Sequence, residues 1–264
     1  MTYFSFILAF KLVAHILITS TSKFCFIVPC YNEANRFDLL RTAFEDFDKN
    51  WDEDFDLILV DDGSSDKTYE MMQEWSEKRP LQHGHIECIL LSTNQGKGRA
   101  LQKGVLHSNA DWLLTLDADM ATMPHQLISW LESGLELNTD KVYIGSRVHS
   151  ESVIEAKWIR KITGGLYNLV TRLFTPIREG DTQCGFKLYP AQLGKKVFSQ
   201  LLTPGWAHDI EVLSRAVMEG GKIVSMPVVW VHRDGAKISV LKDGLRMFVE
   251  TVQIGRMIQN EYKS

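Results

Sequence analysis

Asp117-Ala118-Asp119 ends the apolar run Trp112 to Leu116, setting two acids one small residue apart. In an extended chain residues i and i+2 point to the same side, so both carboxylates can approach one hard cation. A short apolar run of this kind reads as a buried strand, and open α/β sheets bind ligands beyond the carboxyl ends of their strands. A divalent ion held there would be free to grip a diphosphate. The same residues also suit a turn in which an Asp caps the next helix, and alone they do not separate the two readings.

The elements that must position this pair follow a regular alternation. Phe24 to Pro29, Phe55 to Val60, Ile86 to Ser92 and Trp112 to Leu116 are strand-like. Between them lie helical patterns: Phe37, Leu40, Phe44 and Phe47 on one, Met71, Met72 and Trp75 on the next, and a third opened by Asn94-Gln95-Gly96-Lys97-Gly98. Alternation of this length predicts an α/β fold with a doubly wound, mostly parallel sheet whose strand tips line one rim. Further on, Pro124 suits the first position of a helix bearing Leu127, Ile128, Leu131 and Leu135. Val142 to Ser146, Gly185 to Tyr189 and Ile223 to Val231 read as strands, Trp158 to Phe174 as an amphipathic piece, and Ala191 to Leu201 and His208 to Met218 as helices.

Both ends differ from this body. Residues 1–22 form an apolar segment in which Lys11, His15 and Thr19 make one polar stripe. A central Lys costs about 3 kcal/mol in a spanning helix, so spanning, lying in the interface and packing on a partner all stay open. No basic residue precedes the apolar core and no Ala-x-Ala-like site follows it, which argues against a signal peptide. Residues 236–264 form a C-terminal amphipathic helix with basic neighbours, suited to a membrane surface or to covering the sheet. Residues 23–235 are left as one catalytic domain.

The chain has 264 residues, 45% of them hydrophobic, and a net charge of −4. That balance argues against a nucleic-acid binder dominated by phosphate contacts. Cys25, Cys30, Cys88 and Cys184 form no CxxC pair and no dense framework, so they read as free, mostly buried thiols. No Cys/His spacing favours zinc, and His85, His107, His125 and His232 lack a partner at ligand spacing. Gly96-Lys97-Gly98 lacks the fuller phosphate-loop patterns and reads as a tight turn.

Several motifs occur in a fixed order: Pro29-Cys30-Tyr31-Asn32-Glu33, Val60 to Asp66, Asn94 to Gly98, Asp117-Ala118-Asp119, Gly145-Ser146-Arg147 and Asp181 to Lys187. With Trp206 to Glu211 and Asp234 to Lys237, they make the chain resemble the family 2 glycosyltransferases of GT-A fold, and within them the dolichyl-phosphate β-glucosyltransferase branch. The resemblance covers nearly everything from Phe24 on. It implies that Pro29, Tyr31, Glu33, Val60 and Asp62 meet the base and ribose of a nucleotide-sugar, with Asp62 at the base edge. It further implies that Asp117, Ala118 and Asp119 hold the nucleotide-sugar together with Mg2+ or Mn2+, Asp119 being the favoured direct ligand. Met120 and Ala121 stand where some relatives carry a Gln, so no third side-chain ligand is expected there.

By the same resemblance the donor is UDP-glucose rather than GDP-mannose, and the acceptor is a polyprenyl or dolichyl phosphate at the cytosolic face of a membrane. A phosphate monoester has a second pKa near 6, so it needs charge neutralisation more than deprotonation. Arg147, Lys187, Arg233 and Lys237 are the cations available; Arg147, Arg233 and Lys237 match family positions at the donor or phosphate. A sugar-hydroxyl acceptor would instead require a carboxylate base, for which Asp209, Glu211 and Asp181 are candidates. A non-catalytic nucleotide-sugar binder is the remaining alternative, disfavoured because a binder has no use for a leaving-group clamp.

Overall fold

The computed structural model describes residues 22–155, 171–233 and 240–262. The chain opens with β1 (Phe24–Cys30), α1 (Phe37–Lys49), β2 (Phe55–Asp61), α2 (Thr68–Glu77), β3 (Gly84–Leu90), α3 (Lys97–His107), β4 (Trp112–Thr115) and α4 (Gln126–Glu132). It continues with β5 (Lys141–Gly145), β6 (Val153–Glu155), β7 (Lys187–Pro190), α5 (Ala191–Ser199), α6 (His208–Met218), β8 (Lys222–Met226), β9 (Val229–Val231) and α7 (Val240–Glu261). The apolar segment at residues 1–21, most of the amphipathic piece 158–174, and Asp234 to Lys237 lie outside the described residues.

Seven strands form one sheet in the order β3-β2-β1-β4-β7-β5-β8. The pairs β1–β2, β2–β3, β1–β4 and β5–β8 are parallel, whereas β7 runs antiparallel to both β4 and β5. This is the doubly wound, mostly parallel sheet that the alternation predicts. The chain winds outward from β1 to β3 and then returns to β4 on the other side of β1. The carboxyl ends of β1 and β4 therefore flank a topological switch point, where open α/β sheets leave a crevice.

Helices cover both faces, which is why the central strands are apolar without interruption. Phe24, Phe26 and Val28 point to one layer, with Phe44, Phe47, Phe55 and Trp130, while Cys25 and Ile27 point to the other, with Ile58, Leu113, Ile144 and Ile210. Phe47 is the hub of the first layer: its ring stacks on Trp51 at 5.3 Å and meets Phe26 at 5.0 Å and Phe55 at 5.2 Å edge to face. Cys25, Cys30 and Cys184 are buried, Cys88 is half-buried, and no disulfide joins any of the four.

Three boundaries differ from expectation for local reasons. The run Ile223 to Val231 is two strands, because Pro227 has no N–H to give to a ladder. Its second half, β9, leaves the main sheet and pairs with β6, which the sequence pattern does not reveal. Pro124 lies ahead of α4 and accepts a hydrogen bond from the Leu127 N–H at 3.0 Å, and Leu135 falls beyond the helix, past Gly134 at φ 89°. Among the described residues no helix is long and apolar enough to cross a membrane.

Replacing the fully buried Phe47 by Ala should cost about 3 to 5 kcal/mol, because the surrounding rings cannot close the void. Urea unfolding should show a lower midpoint with an unchanged slope.

Candidate active site

The site is assembled where β1 and β4 end. Leu116 donates its N–H to the Ile27 carbonyl at 3.2 Å, the last backbone tie before the chain turns away from the sheet. Met120 takes a left-handed conformation (φ 51°) and its N–H returns to the Asp117 carbonyl at 3.1 Å. Within this tight turn the Ala121 N–H donates to Asp119 Oδ1 at 3.0 Å. The turn expected at Asp117-Ala118-Asp119 is therefore present, with Asp119 bracing the turn itself rather than capping α4, whose N-cap has no side-chain hydrogen bond. The Ala118 methyl is buried in the aromatic layer of the core.

Asp117 keeps 37% of its side chain exposed, and its Oδ1 lies 2.5 Å from Lys97 Nζ. Gly185 passes so close that any Cβ there would overlap the Asp117 carboxylate. Burial, and then the neighbouring Asp117 charge, raise the Asp119 carboxyl above its ordinary range. The pair therefore carries negative charge that its protein surroundings do not fully compensate, and its donors are all oxygen. That is the chemistry a hard divalent cation fits. Burial works against the Lys97 charge, but Asp117, Asp209 and Asp119 outweigh it and keep the ammonium protonated.

Lys97 is the residue that sequence reasoning missed. Gly96-Lys97-Gly98 is a tight turn, as expected: Gly96 sits at φ 96°, and the Gly98 N–H donates to the Pro204 carbonyl at 2.7 Å. The turn nevertheless aims Lys97 at Asp117, with the Trp206 ring over its head at 5.6 Å. Only a lysine between two glycines hinted at this.

Upstream, three loops are knitted together. Asn32 (φ 51°) donates its N–H to Ser64 Oγ and accepts the Ser65 N–H on Oδ1, each at 2.8 Å. Both Glu33 oxygens accept from Arg36, at 2.7 and 2.9 Å, while the Glu33 N–H donates to Thr68 Oγ1. Asp62 accepts the Gln95 N–H at 2.7 Å and the Gly96 N–H at 2.9 Å, so it braces the Lys97 turn, and burial raises its carboxyl. Val60 is fully buried, whereas Pro29 and Tyr31 are partly exposed on the same rim.

Downstream, the antiparallel direction of β7 brings residues 181–187 to the rim. Asp181 accepts from the Arg147 backbone N–H, Nε and one terminal nitrogen, at 2.8, 2.7 and 2.8 Å. The Arg147 guanidinium also lies over the Trp230 ring at 5.7 Å. Burial would raise Asp181, but the hydrogen bonds and charge of Arg147 prevail and hold its carboxyl low. Lys187, fully buried, donates to Asp209 Oδ1 at 2.6 Å and to the Cys184 carbonyl at 2.5 Å. Burial opposes the Asp209 charge, yet interactions with His208, Lys187 and Lys97 hold the carboxyl at about 2. Glu211 is bound by Arg215 at 2.9 Å. Each of the three carboxylates considered as a base therefore faces a cation, and the lowered pKa of Asp181 and of Asp209 makes each of those two a weak base. Arg233 is half-buried, with no hydrogen-bond partner for Nε among the described residues; Lys237 lies outside them.

A doubly wound sheet with a carboxylate pair at its switch point and a lysine set against it puts charged side chains where open α/β enzymes bind their ligands. The model of glycosyl transferase family 2 matches residues 25–198, and the chain belongs to that family: it is a glycosyltransferase of GT-A fold. A dolichyl-phosphate beta-glucosyltransferase of Saccharomyces cerevisiae is 33% identical over 242 residues, which span 86% of this chain and 72% of the yeast protein. The human protein of that name is 29% identical over 239 residues, 86% of this chain and 73% of its own. Among solved structures, a glucosyl-3-phosphoglycerate synthase from Mycobacterium tuberculosis in complex with Mn2+, UDP-glucose and phosphoglyceric acid superposes with a TM-score of 0.64. It is 14% identical, with 92% of this chain and 83% of that one covered. A mannosyl-3-phosphoglycerate synthase from Rubrobacter xylanophilus gives 0.63 at 16% identity, covering 96% and 79%. At these identities the two structures establish the fold.

Asp209→Asn should destabilise the protein by about 3 to 5 kcal/mol at neutral pH, because it leaves Lys187 buried without a counter-charge. The folded Asp209 pKa lies below its unfolded value, so this stabilisation is complete above about pH 4 and is lost as pH falls toward about 2. Urea titrations across that range should show the gap between native and variant protein closing with acid.

Proposed function

We propose that this chain transfers glucose from UDP-glucose to a dolichyl or polyprenyl phosphate, working at the cytosolic face of a membrane. The observation that carries the reading is the set of paired carboxylates. Asp181, Asp209 and Glu211 are each committed to a cation, whereas Asp117 and Asp119 form an anionic pair beside Lys97. A phosphate acceptor is compatible with that arrangement, since its oxygen is already anionic near neutral pH. A sugar-hydroxyl acceptor is less so, for want of an uncommitted base. The names of the curated relatives support the same donor sugar and acceptor.

In this reading Asp117 and Asp119 would hold Mg2+ or Mn2+, which when bound neutralises the diphosphate as it departs. Lys97 contacts the diphosphate from the α3 side. Pro29, Tyr31, Glu33, Val60 and Asp62 frame the base and ribose, Asp62 doing so while it braces the Lys97 turn. Arg147, fixed by Asp181, receives the acceptor phosphate with Arg233 and Lys237. The acceptor oxygen attacks the anomeric carbon in line as the bond to UDP breaks, and UDP leaves with the electron pair. One displacement inverts the centre and yields a β-linked product. Residues 1–22 and the C-terminal helix supply contact with the membrane surface.

Asp117→Ala and Asp119→Ala should each lower transfer at least about a hundredfold while leaving the unfolding midpoint near native. Chelation of divalent ions should abolish transfer, and added Mg2+ or Mn2+ should restore it. Labelled UDP-glucose with membranes containing polyprenyl phosphate should give product that partitions into organic solvent. Water-soluble product formed on a free glycan would support the hydroxyl-acceptor alternative.

A further inference from the structure

Glu211 lies in the first turn of α6 and is completely buried. Its Oε1 accepts from the Leu202 N–H at 3.0 Å and from Arg215 Nε at 2.9 Å; its Oε2 accepts from the Thr203 N–H at 2.8 Å. Arg215, 2% exposed, extends the network to Gln200 Oε1 at 3.2 Å and to Glu261 Oε2 of α7 at 2.6 Å. The segment fixed in this way then meets the donor side of the site. The Pro204 carbonyl accepts the Gly98 N–H at 2.7 Å, the Gly205 carbonyl accepts from His208 Nδ1 at 2.8 Å, and the Trp206 ring lies over Lys97. Gly96 and Gly98 pack so closely on residues 203–204 that a Cβ at either position would overlap their backbone. The Lys97 turn is thus held between Asp62 on one side and residues 203–206 on the other.

We infer that Glu211 is a positioning residue for the donor: by fixing residues 202–206 it sets Lys97 against Asp117, and it acts on the diphosphate through Lys97 alone. This rests on the role given to Lys97 above. Two backbone N–H groups and a guanidinium converge on this one side chain, and only a carboxylate offers acceptors to all three. A glutamine of the same size turns an NH2 group toward one of those donors. The buried Arg215 is present to satisfy that carboxylate, and Glu261 links the pair to α7.

The test is a double-mutant cycle between Glu211→Gln and Lys97→Met, read as separate kcat and KM values with UDP-glucose and polyprenyl phosphate, and as UDP-glucose affinity by calorimetry. Glu211→Gln should raise the KM for UDP-glucose about tenfold, with kcat within about twofold and the acceptor KM unchanged. Lys97→Met should raise the same KM, and the double variant should be no worse than Lys97→Met alone, because the two residues act in series. Glu261→Gln should leave the donor KM at the native value. If Glu211→Gln fails to fold, Arg215→Lys serves in its place and should move the donor KM in the same direction and by less. Multiplying effects in the double variant, or an equal fall of kcat with native KM, would overturn the role of Glu211 while leaving that of Lys97 intact. A native donor KM in Lys97→Met would refute the assignment of Lys97 to the diphosphate, and the inference built on it.

Discussion

Mutual repulsion between carboxylates at the carboxyl edge of the sheet is the constraint around which this protein is arranged. Asp117, Asp119, Asp181 and Asp209 all reach the same rim, and burial there makes unpaired charge expensive. Lys97, Lys187 and Arg147 are set against them, each within hydrogen-bonding distance of one acid. Three of the four acids are satisfied by this pairing. Asp119 accepts a backbone N–H and has a raised pKa, so the residual charge demand falls on it.

The pairing depends on one topological choice. A purely parallel sheet would send the loop preceding β7 to the opposite edge. Because β7 is antiparallel, Lys187 stands opposite Thr115 on one side and Ile144 on the other, at the level where β4 and β5 end. Gly185 then lies against Asp117, and the Thr115 hydroxyl donates to the Gly185 carbonyl at 3.0 Å. Residues 115–117 and 185–187, distant in the chain, become neighbours through that reversal.

The buried ion pairs are weak as sources of net stability, since desolvation offsets most of their attraction. Their value lies in direction. Lys187 holds Asp209 beneath the site, Asp181 aims Arg147 from a face braced by Trp230, and Arg215 holds Glu211 under residues 202–206. Stability comes instead from the two apolar layers on either side of the sheet, which make the rim rigid enough for such aiming to persist.

Much of this was legible in the chain. Uninterrupted apolar runs locate β1, β2 and β4, since those strands are buried on both faces, and period-3.6 patterns locate the helices between the strands, each buried on one face. The paired acids at the end of Trp112 to Leu116 mark a turn at a strand's carboxyl end, and they point to a ligand site only together with the other motifs. Motif order points to the family. What the sequence could not show is pairing at a distance. Nothing local distinguishes Asp181, Asp209 or Glu211 as bases from the same residues as partners of Arg147, Lys187 and Arg215. Lys97 looked like part of a turn because its partner lies 20 positions away. The split of Ile223 to Val231 at Pro227 was readable, but the destination of β9 was not. Local patterns follow from which face of an element meets water; the site follows from which rim each loop reaches, and only the folded sheet decides that.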